Sequence, residues 1–475
     1  MAQSGTDNDA SLIDFYPYRS RFKTYHRLDP EPRSRASILE ELATMAVEED
    51  RIADAGRVSG SIYHGDHDHY RFLTEAFRLF AHANVLQRDM YPSATKLEAE
   101  IVAMTAALLH GEAVAERQPG TEACGVVTFG GTESLINPML AYRERGRIEK
   151  GITAPEVIIP VTAHPALDKA AHLLGIKLLK APLDDGWLAD TNWVRDHVTA
   201  NTIALVGSAG NYPYGLIDPI EELSKIALEH DLGLHVDGCL GGFILPWGER
   251  LGYPIPRFDF RVPGVTSISA DTHKYGYSLK GTSVLLYRGA NLRKYQYFTF
   301  PDWPGGIYFS PGLSGSRSGG VVAAAWAALI SLGERGYLEI ADAIFKTAAA
   351  IRDGVRAIPE LELFGTPTFV VAFRSPSLDI FHVNDFLVER GWRLNGLHLP
   401  PGLHFCVTRP NTAPGVAEAF LADLKDAVEY AKYPPATSPR SRALYGIGGT
   451  PAGNDALNMM FAAALDAMYD VAPTG

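Results

Sequence analysis

Cysteine is scarce in this chain, with three among 475 residues, at Cys124, Cys239 and Cys406. Their odd number and wide spacing exclude a disulfide framework, and they offer no CxxC pair for a zinc site. We therefore expect a protein of a reducing compartment, located in the cytoplasm and without a bound metal ion. These features leave open whether the protein is exported to a host cell.

Long apolar runs are missing as well. The longest apolar helix candidate, residues 321–332, lies between glycines and is shorter than the roughly 20 residues that cross a bilayer. The N-terminus has no basic stretch that leads into an apolar segment, as a secretory signal would have. The sequence therefore predicts a soluble protein without a transmembrane segment.

Positive charge is in deficit. Lysine and arginine number 43 against 55 aspartate and glutamate residues, a net charge of −12, and no long basic run is present. Nucleic acid is therefore not an expected partner. The 46% of hydrophobic residues is ordinary for a globular protein, which excludes disorder for most of the chain.

What the sequence does contain is an alternation of short β-rich runs and helical stretches between about residues 115 and 290. Seven runs are strand candidates: Val126–Phe129, Val157–Val161, Lys177–Leu183, Ile203–Ser208, Leu232–Val236, Val265–Ala270 and Val284–Tyr287. Helical stretches such as Leu135–Glu149 and Pro219–Glu229 separate them. This pattern predicts an α/β fold whose mostly parallel sheet is covered by helices on both faces.

These patterns divide the chain into three segments. Residues 1–114 are expected to form an N-terminal arm and a helical segment, and residues 115–320 a large domain. Residues 321–475 are expected to form a small α+β domain that begins with a long helix and contains a hairpin at Arg393–Thr408. Helices of the first segment are predicted at Ser37–Glu48, Glu75–Leu86 and Thr95–Leu109.

Lys274 lies in the most informative part of the sequence, SISADTHKYGYSLKG. A strand ends at Ala270, so Lys274 follows at the carboxyl edge of the sheet, where open α/β sheets bind ligands. A partly buried lysine can form a Schiff base with pyridoxal phosphate. An isolated loop lysine is, however, most often a surface residue.

Asp237 is delivered to the same edge by the apolar strand in LGLHVDGCLGG. A carboxylate there can pair with the protonated pyridine nitrogen of pyridoxal phosphate and keep the ring an electron sink. The alternative is that Asp237 caps the glycine-rich turn that follows. Cys239 is interpreted as a small buried residue.

Three further strand ends carry polar groups. The segment GGTES with Gly131 and Thr132 leads into a helix whose N-terminus could hold a phosphate, although an N-cap and a tight turn explain it equally well. His164 could stack on a pyridine ring, or could be a structural histidine. Ser208 ends a fifth strand with a hydroxyl.

Taken together, the segments GGTES, AHPALDKAA, GSAGNYPYGLIDPIEEL, LHVDGCLGGF and SADTHKYGYSLKG resemble the group II pyridoxal phosphate decarboxylase superfamily. Within it, the chain is similar to the sphingosine-1-phosphate lyases from about Ser59 to the C-terminus. The resemblance implies the aspartate-aminotransferase type of fold, fold type I, with a seven-stranded sheet and a small C-terminal domain. It also implies a homodimer with active sites at the subunit interface.

The resemblance assigns the cofactor contacts. It makes Lys274 the Schiff-base lysine of pyridoxal phosphate, Asp237 the partner of the pyridine nitrogen and His164 the residue that stacks on the ring. The remaining cofactor contacts that follow from it and from the strand ends are Gly131, Thr132, Ser208, His273 and Ser316, with Ser316 reaching across the dimer interface.

The resemblance also assigns the substrate phosphate to a tyrosine, a histidine and a lysine. Tyr63 and Lys280 match the first and the last, but Gln87 stands where the family has histidine. A neutral amide makes a weaker hydrogen bond to phosphate than a cation does. The histidines at 64, 67 and 69 lack a zinc spacing, and we interpret their segment as a solvated loop at the entrance.

The implied activity is retro-aldol cleavage of a phosphorylated sphingoid base to a long-chain aldehyde and phosphoethanolamine. The base that removes the proton from the carbon 3 hydroxyl is left open among Lys280, Tyr63 and the cofactor phosphate. The alternatives are an amino-acid decarboxylase of the same superfamily and a scaffold that has lost its chemistry. A substrate of this kind also implies transient contact with a lipid surface.

Overall fold

The structure is a computed structural model that describes residues 17–18, 20–445 and 451–469. The predicted N-terminal arm therefore lies largely outside the described residues. Within the described part of the chain, no helix is both long and apolar enough to cross a membrane.

A seven-stranded sheet forms the centre of the molecule. Its strands are β1 (Ala123–Thr128), β2 (Glu156–Pro160), β3 (Lys177–Ala181), β4 (Thr202–Ser208), β5 (Gly233–Asp237), β6 (Ser267–Ala270) and β7 (Ser283–Arg288). The spatial order is β1-β7-β6-β5-β4-β2-β3, and each strand corresponds to one of the seven predicted runs. Strands β4, β5 and β6 are buried throughout, as expected for parallel strands covered on both faces.

Strand direction decides where the polar residues gather. Strand β7 is antiparallel to both β1 and β6, and the neighbouring pairs from β6 to β3 are parallel. The carboxyl ends of all strands except β7 therefore lie at one edge of the sheet. Ser208, Asp237 and Asp271 are brought to that edge because each ends or directly follows a parallel strand.

Fifteen α-helices lie within the described residues. They are α1 (Arg35–Asp54), α2 (His67–Leu79), α3 (Pro92–Leu108), α4 (Glu112–Arg117), α5 (Gly131–Lys150), α6 (Ala166–Leu174), α7 (Thr191–Asp196), α8 (Ile220–Glu229), α9 (Leu245–Arg250), α10 (Ala290–Arg293), α11 (Gly319–Arg356), α12 (Ile380–Glu389), α13 (Val416–Lys432), α14 (Arg440–Tyr445) and α15 (Pro451–Tyr469). The long helix α11 is kinked at Gly333, which has a non-helical backbone.

The helix predicted at Glu75–Leu86 is misplaced, because α2 begins at His67 and ends at Leu79. Asp66 accepts hydrogen bonds from the backbone N–H groups of Asp68 and His69, so it caps the helix nine residues before the predicted start. Val85 is buried in the connection that follows, and its burial explains why the apolar pattern continued.

The C-terminal part contains a second sheet of four antiparallel strands in the order β10-β11-β13-β12. Its strands are β10 (Glu362–Leu363), β11 (Val370–Arg374), β12 (Asn395–His398) and β13 (Pro401–Cys406). The last two strands form the hairpin that the sequence predicts. The domain boundaries after residues 114 and 320 stay predictions, and α11 begins just before the second of them.

The stretch before α11 contains a two-stranded ribbon that the sequence analysis missed, β8 (Phe298–Trp303) paired with β9 (Gly306–Ser310). Its apolar side chains are largely exposed, and 52% of Trp303 faces solvent. Pro304 and Gly305 form the turn between the two strands, and the proline and glycine residues here obscured the strand pattern.

Candidate active site

The carboxyl edge of the large sheet surrounds a cavity of about 500 Å³. Five of the predicted site residues line it, namely Gly131, Thr132, His164, His273 and Lys274. They come from three separate stretches of sequence, and the parallel arrangement of the strands brings them together.

One wall of the cavity is the N-terminus of α5. Gly130 has a φ of 132°, a conformation that side chains rarely adopt, and the helix starts directly after it. A Cβ on Gly131 would lie 2.8 Å from Asp271 Oδ2, so a side chain there would press into the site. The first backbone N–H groups of α5 have no partner within the helix, and the helix dipole favours an anion beside them.

His273 lies next to this helix N-terminus. Its Nδ1 atom is buried and finds no hydrogen-bond partner among the described residues, 3.8 Å from the position of a Cβ on Gly130. Burial lowers the pKa of His273, which favours the neutral imidazole. An unpaired imidazole nitrogen beside free helix N–H groups is the arrangement that a phosphate group would satisfy.

Lys274 forms an ion pair with Asp271 at the base of the cavity, with Nζ 3.0 Å from Oδ2. Burial favours the neutral amine, but the Asp271 carboxylate outweighs it and raises the pKa of Lys274. Burial would likewise raise the pKa of Asp271, whose side chain is 1% exposed, yet the neighbouring cation lowers it. The sequence analysis gave Asp271 no role, because only the fold shows that it pairs with Lys274.

Asp237 ends β5 and is 8% exposed. Its Oδ1 accepts a hydrogen bond from the Cys239 backbone N–H at 2.9 Å and one from the Ser269 hydroxyl at 3.4 Å. Cys239, treated as a packing residue at the sequence level, is buried and also lines the cavity.

His164 and Ser208 occupy the two neighbouring strand ends. His164 is exposed to the cavity, and its Nδ1 accepts a hydrogen bond from the Ala166 backbone N–H at 3.1 Å. Ser208 pairs with Asp237 in the register of β4 and β5, and its buried hydroxyl has no partner among the described residues. It does not line the cavity itself.

Tyr63 and Lys280 lie together, beside the peptide bond that joins His273 to Lys274. The Lys280 Nζ lies 4.6 Å from the centre of the Tyr63 ring and donates hydrogen bonds to the carbonyl oxygens of Ser61 and His273. Although Lys280 as a whole is exposed, the protein atoms packed around its amine partly desolvate it, and this desolvation, followed by the Lys274 charge, lowers the pKa of Lys280 to about 8. Burial raises the pKa of Tyr63, so its phenol stays protonated.

Ser316 and Gln87 lie outside the cavity. Both are exposed and both contact Asn84, whose side-chain amide donates a hydrogen bond to Ser316 Oγ at 3.0 Å. The Gln87 backbone N–H donates to the Asn84 carbonyl oxygen. These two predicted residues are therefore next to each other, but not next to the Lys274 of the same chain.

The histidine-rich segment after Tyr63 is not a solvated loop. His64 is buried, and its ring stacks on that of His69 with 3.8 Å between the centroids. Arg409 Nη1 lies 2.8 Å from His64 Nδ1 and 3.1 Å from Asp66 Oδ2. Arg409 comes from the C-terminal part of the chain, and no local sequence signal pointed to this cluster.

Glu133 is a further residue to which the sequence analysis gave no role. Its carboxylate accepts hydrogen bonds from the Phe129 backbone N–H and from the backbone and hydroxyl of Ser314. It thereby ties the first turn of α5 to the stretch that precedes Ser316. The signal that could have found it is its place in the first helical turn, where acidic residues cap free N–H groups.

A lysine, a helix N-terminus and an imidazole line one cavity at the carboxyl edge of the sheet, and the buried Asp237 carboxylate, which does not line it, lies two residues before the lining Cys239. This set of groups fits pyridoxal phosphate. The model for the conserved domain of pyridoxal-dependent decarboxylases matches residues 61–375. The chain belongs to this family, and pyridoxal phosphate is its cofactor. The glutamate decarboxylase of Lactobacillus brevis has the same fold, with a TM-score of 0.74 at 18% identity over 90% of this chain and all of that one.

Within the family, the chain groups with the sphingosine-1-phosphate lyases. It is 47% identical to the sphingosine-1-phosphate lyase of Oryza sativa over 83% of this chain and 73% of the relative. The structure of a sphingosine-1-phosphate lyase of Burkholderia pseudomallei superposes with a TM-score of 0.90 and is 55% identical, covering 96% of this chain and all of that one. These likenesses confirm the predicted α/β class with its seven-stranded sheet.

Proposed function

We propose that this chain is a pyridoxal phosphate-dependent lyase that cleaves phosphorylated sphingoid bases such as sphingosine-1-phosphate. The reaction is a retro-aldol cleavage that releases a long-chain aldehyde and phosphoethanolamine. The observation that carries the proposal is the position of Lys280 and Tyr63 beside the Lys274 backbone, in a chain 55% identical to a sphingosine-1-phosphate lyase. A cation and a phenol there suit the phosphate of a substrate whose amine reaches Lys274.

We assign the cofactor to the cavity by chemistry. Bound pyridoxal phosphate supplies an electron sink for the electrons of the breaking carbon–carbon bond. Lys274 would hold its aldehyde, Asp237 its ring nitrogen and His164 the face of its ring. Gly131, Thr132 and His273 would hold its phosphate, supported by the free N–H groups of α5 and the unpaired Nδ1 of His273.

The residues that would contact the substrate phosphate are Tyr63, Lys280 and Gln87. Tyr63 can donate its phenolic hydrogen to a phosphate oxygen, because its raised pKa keeps the phenol protonated. The same raised pKa makes Tyr63 a poor acceptor for the proton of the carbon 3 hydroxyl. Gln87 would supply a neutral amide in place of a cation.

The assembly that we propose is a cytoplasmic homodimer with shared active sites, which meets its amphiphilic substrate at a lipid surface. Ser316 and Gln87 lie away from the cavity of their own chain, and their exposure suits a role in the site of a second copy. The three cysteines are free thiols, as a reducing compartment requires.

The direct test is a product assay on purified protein loaded with pyridoxal phosphate and given sphingosine-1-phosphate. We expect equimolar long-chain aldehyde and phosphoethanolamine, and neither product from Lys274→Ala. Release of carbon dioxide from an amino acid, with no aldehyde from the lipid, would overturn the proposal in favour of a decarboxylase. If the protein binds the cofactor but forms neither aldehyde nor carbon dioxide, it would be a scaffold that has lost its chemistry.

Lys280 predicts the pH dependence of substrate capture. Its folded pKa of about 8 is below the usual lysine value, so the charge that attracts phosphate is present below pH 8 and is lost above it. We therefore expect kcat/KM for the phosphorylated substrate to fall above about pH 8, since kcat/KM reports the free enzyme.

The matched variants are Lys280→Arg, which keeps its charge, and Lys280→Gln, which has none. Lys280→Arg should remove the decline above pH 8, and Lys280→Gln should raise KM below pH 8 and approach the parent enzyme above it. A kcat/KM that instead rises up to pH 8 in the parent enzyme would assign Lys280 to proton removal rather than to phosphate binding.

A further inference from the structure

A chain of hydrogen bonds runs from Asp237 into the interior of the sheet. Asp237 and His235 lie on the same face of β5, and in the parallel register they pair with Ser269 and Ser267 of β6. The Ser269 hydroxyl is 3.4 Å from both Asp237 Oδ1 and His235 Nε2. On the far side, His235 Nδ1 is 2.8 Å from Ser267 Oγ, which lies 2.6 Å from the hydroxyl of Tyr142.

The carboxylate determines the direction of every bond in this chain. An ionised Asp237 can only accept, so Ser269 must donate its one hydroxyl hydrogen to it. His235 Nε2 must then donate to Ser269, which leaves Nδ1 as the acceptor from Ser267. The Ser267 hydroxyl therefore donates its hydrogen to His235 Nδ1 and accepts a hydrogen bond from the Tyr142 hydroxyl. Each hydroxyl donates once, and His235 is the Nε2–H tautomer.

All members of the chain are buried, and His235 is fully enclosed. Burial lowers the pKa of His235 to about 4, so the ring is neutral near neutral pH, as the assigned bonds require. The proposed mechanism gives neither His235 nor Ser269 a task. A buried polar chain that ends on one carboxylate oxygen needs an explanation beyond packing.

The Asp237 carboxylate accepts two hydrogen bonds from described residues, one from the Cys239 backbone N–H and one from the Ser269 hydroxyl. Both reach its Oδ1 atom. Oδ2 is thereby left for the ring nitrogen of the cofactor. Hydrogen bonds donated to a carboxylate favour its charged form, and a charged carboxylate is what holds a proton on a pyridine nitrogen.

We propose that His235 is a positioning residue, which acts through Ser269 to hold Asp237 ionised and oriented toward the ring nitrogen of pyridoxal phosphate. The proposal rests on the role assigned to Asp237 under the proposed function. If the chain is cut, Asp237 loses a donor, and the shared proton moves from the ring nitrogen to the carboxylate. The ring is then a weaker electron sink, although the cofactor is still bound.

The test uses full-length holoenzyme loaded with pyridoxal phosphate that carries nitrogen-15 in the ring, observed by NMR at one fixed pH. Ser269→Ala and His235→Phe should shift the ring nitrogen signal toward that of the unprotonated pyridine. They should lower kcat by about tenfold or more, the effect of losing a hydrogen bond to a charged group, with little change in KM.

His235→Gln is the rescue variant, because its amide can donate to Ser269 and accept from Ser267. It should restore most of the parent signal and kcat. Thr105→Val is the structural control: Thr105 is equally buried, bonds to the Ile101 carbonyl oxygen in α3, and should leave the signal unchanged. Far-ultraviolet circular dichroism confirms that each variant is folded.

The outcomes separate the two levels of the proposal. If Asp237→Asn moves the ring nitrogen signal and Ser269→Ala and His235→Phe do not, the positioning role is wrong and the proposed function stands. If Asp237→Asn itself leaves the signal unchanged, the assignment of Asp237 is wrong. A fall in kcat in Ser269→Ala with a parent-like signal would show a merely structural role.

Discussion

The Lys274→Ala variant is expected to lose cleavage activity by at least about a thousandfold, because among the described residues no other lysine lines the cavity. Lys280 is the nearest alternative, but its Nζ is directed to the carbonyl oxygens of Ser61 and His273. The measurements are aldehyde formation and the amount of cofactor that the protein retains after dialysis, followed by absorbance. Retained turnover in this variant would contradict the assignment of Lys274.

The same substitution removes the cation that faces Asp271. A buried carboxylate without its partner is costly, so Lys274→Ala should also unfold at a lower temperature than the parent protein. The double variant with Asp271→Asn should recover that stability and stay inactive, which separates loss of chemistry from loss of fold. Lys346→Ala removes an exposed ion-paired lysine and should change neither property.

The second large effect concerns stability. Arg317 and Glu98 form a buried ion pair, with 7% and 9% of their side chains exposed, and Arg317 also donates to the Val127 carbonyl oxygen. Through these contacts Arg317, which directly follows Ser316, is joined to Glu98 of α3 and to Val127 of β1. Glu98 also forms an ion pair with Arg88, whose side chain is 36% exposed. Without Arg317, Glu98 stays buried with only this partly exposed cation as its partner, so Arg317→Met should lower the free energy of unfolding by about 3 kcal/mol.

Denaturant unfolding of the cofactor-free protein checks this value. Arg335→Met, in an exposed pair with Glu339, is the matched control and should cost less than about 1 kcal/mol. The double variant of Arg317→Met with Glu98→Leu should regain most of the loss, because it leaves no buried charge and Arg88, which loses its partner Glu98, is partly exposed to water. If Arg317→Met costs no more than the surface control, the buried pair does not stabilise the fold.

The large sheet could be predicted from the sequence because its strands are short apolar runs between helices. All seven predicted runs are strands of the sheet, including β4, which is buried along its whole length. The ribbon of β8 and β9 was missed because proline and glycine interrupt its pattern. The helix that corresponds to α2 was predicted too far toward the C-terminus, because the apolar pattern continues past the end of α2 to the buried Val85.

Some residues of the candidate site could likewise be predicted from the sequence, and others could not. Lys274, His164 and Gly131 could be predicted because each follows a strand, and strands that are parallel bring their carboxyl ends to one edge. Three contacts could not be predicted from the sequence. They are the ion pair of Asp271 with Lys274, the contact of Arg409 with His64 and the hydrogen-bond chain that ends on Asp237. Their partners are set by register and by contacts between segments that are distant along the chain.

The sequence by itself determined the fold class, the cofactor and most of the predicted groups that line the cavity, because these depend on local patterns and on motifs that a family shares. Only the tertiary structure decided which of those groups meet. It places Tyr63 with Lys280 near Lys274, and Ser316 with Gln87 outside the cavity. Hydrogen bonds and charges act over a few ångströms, and distances of that size between remote residues exist only once the chain is folded.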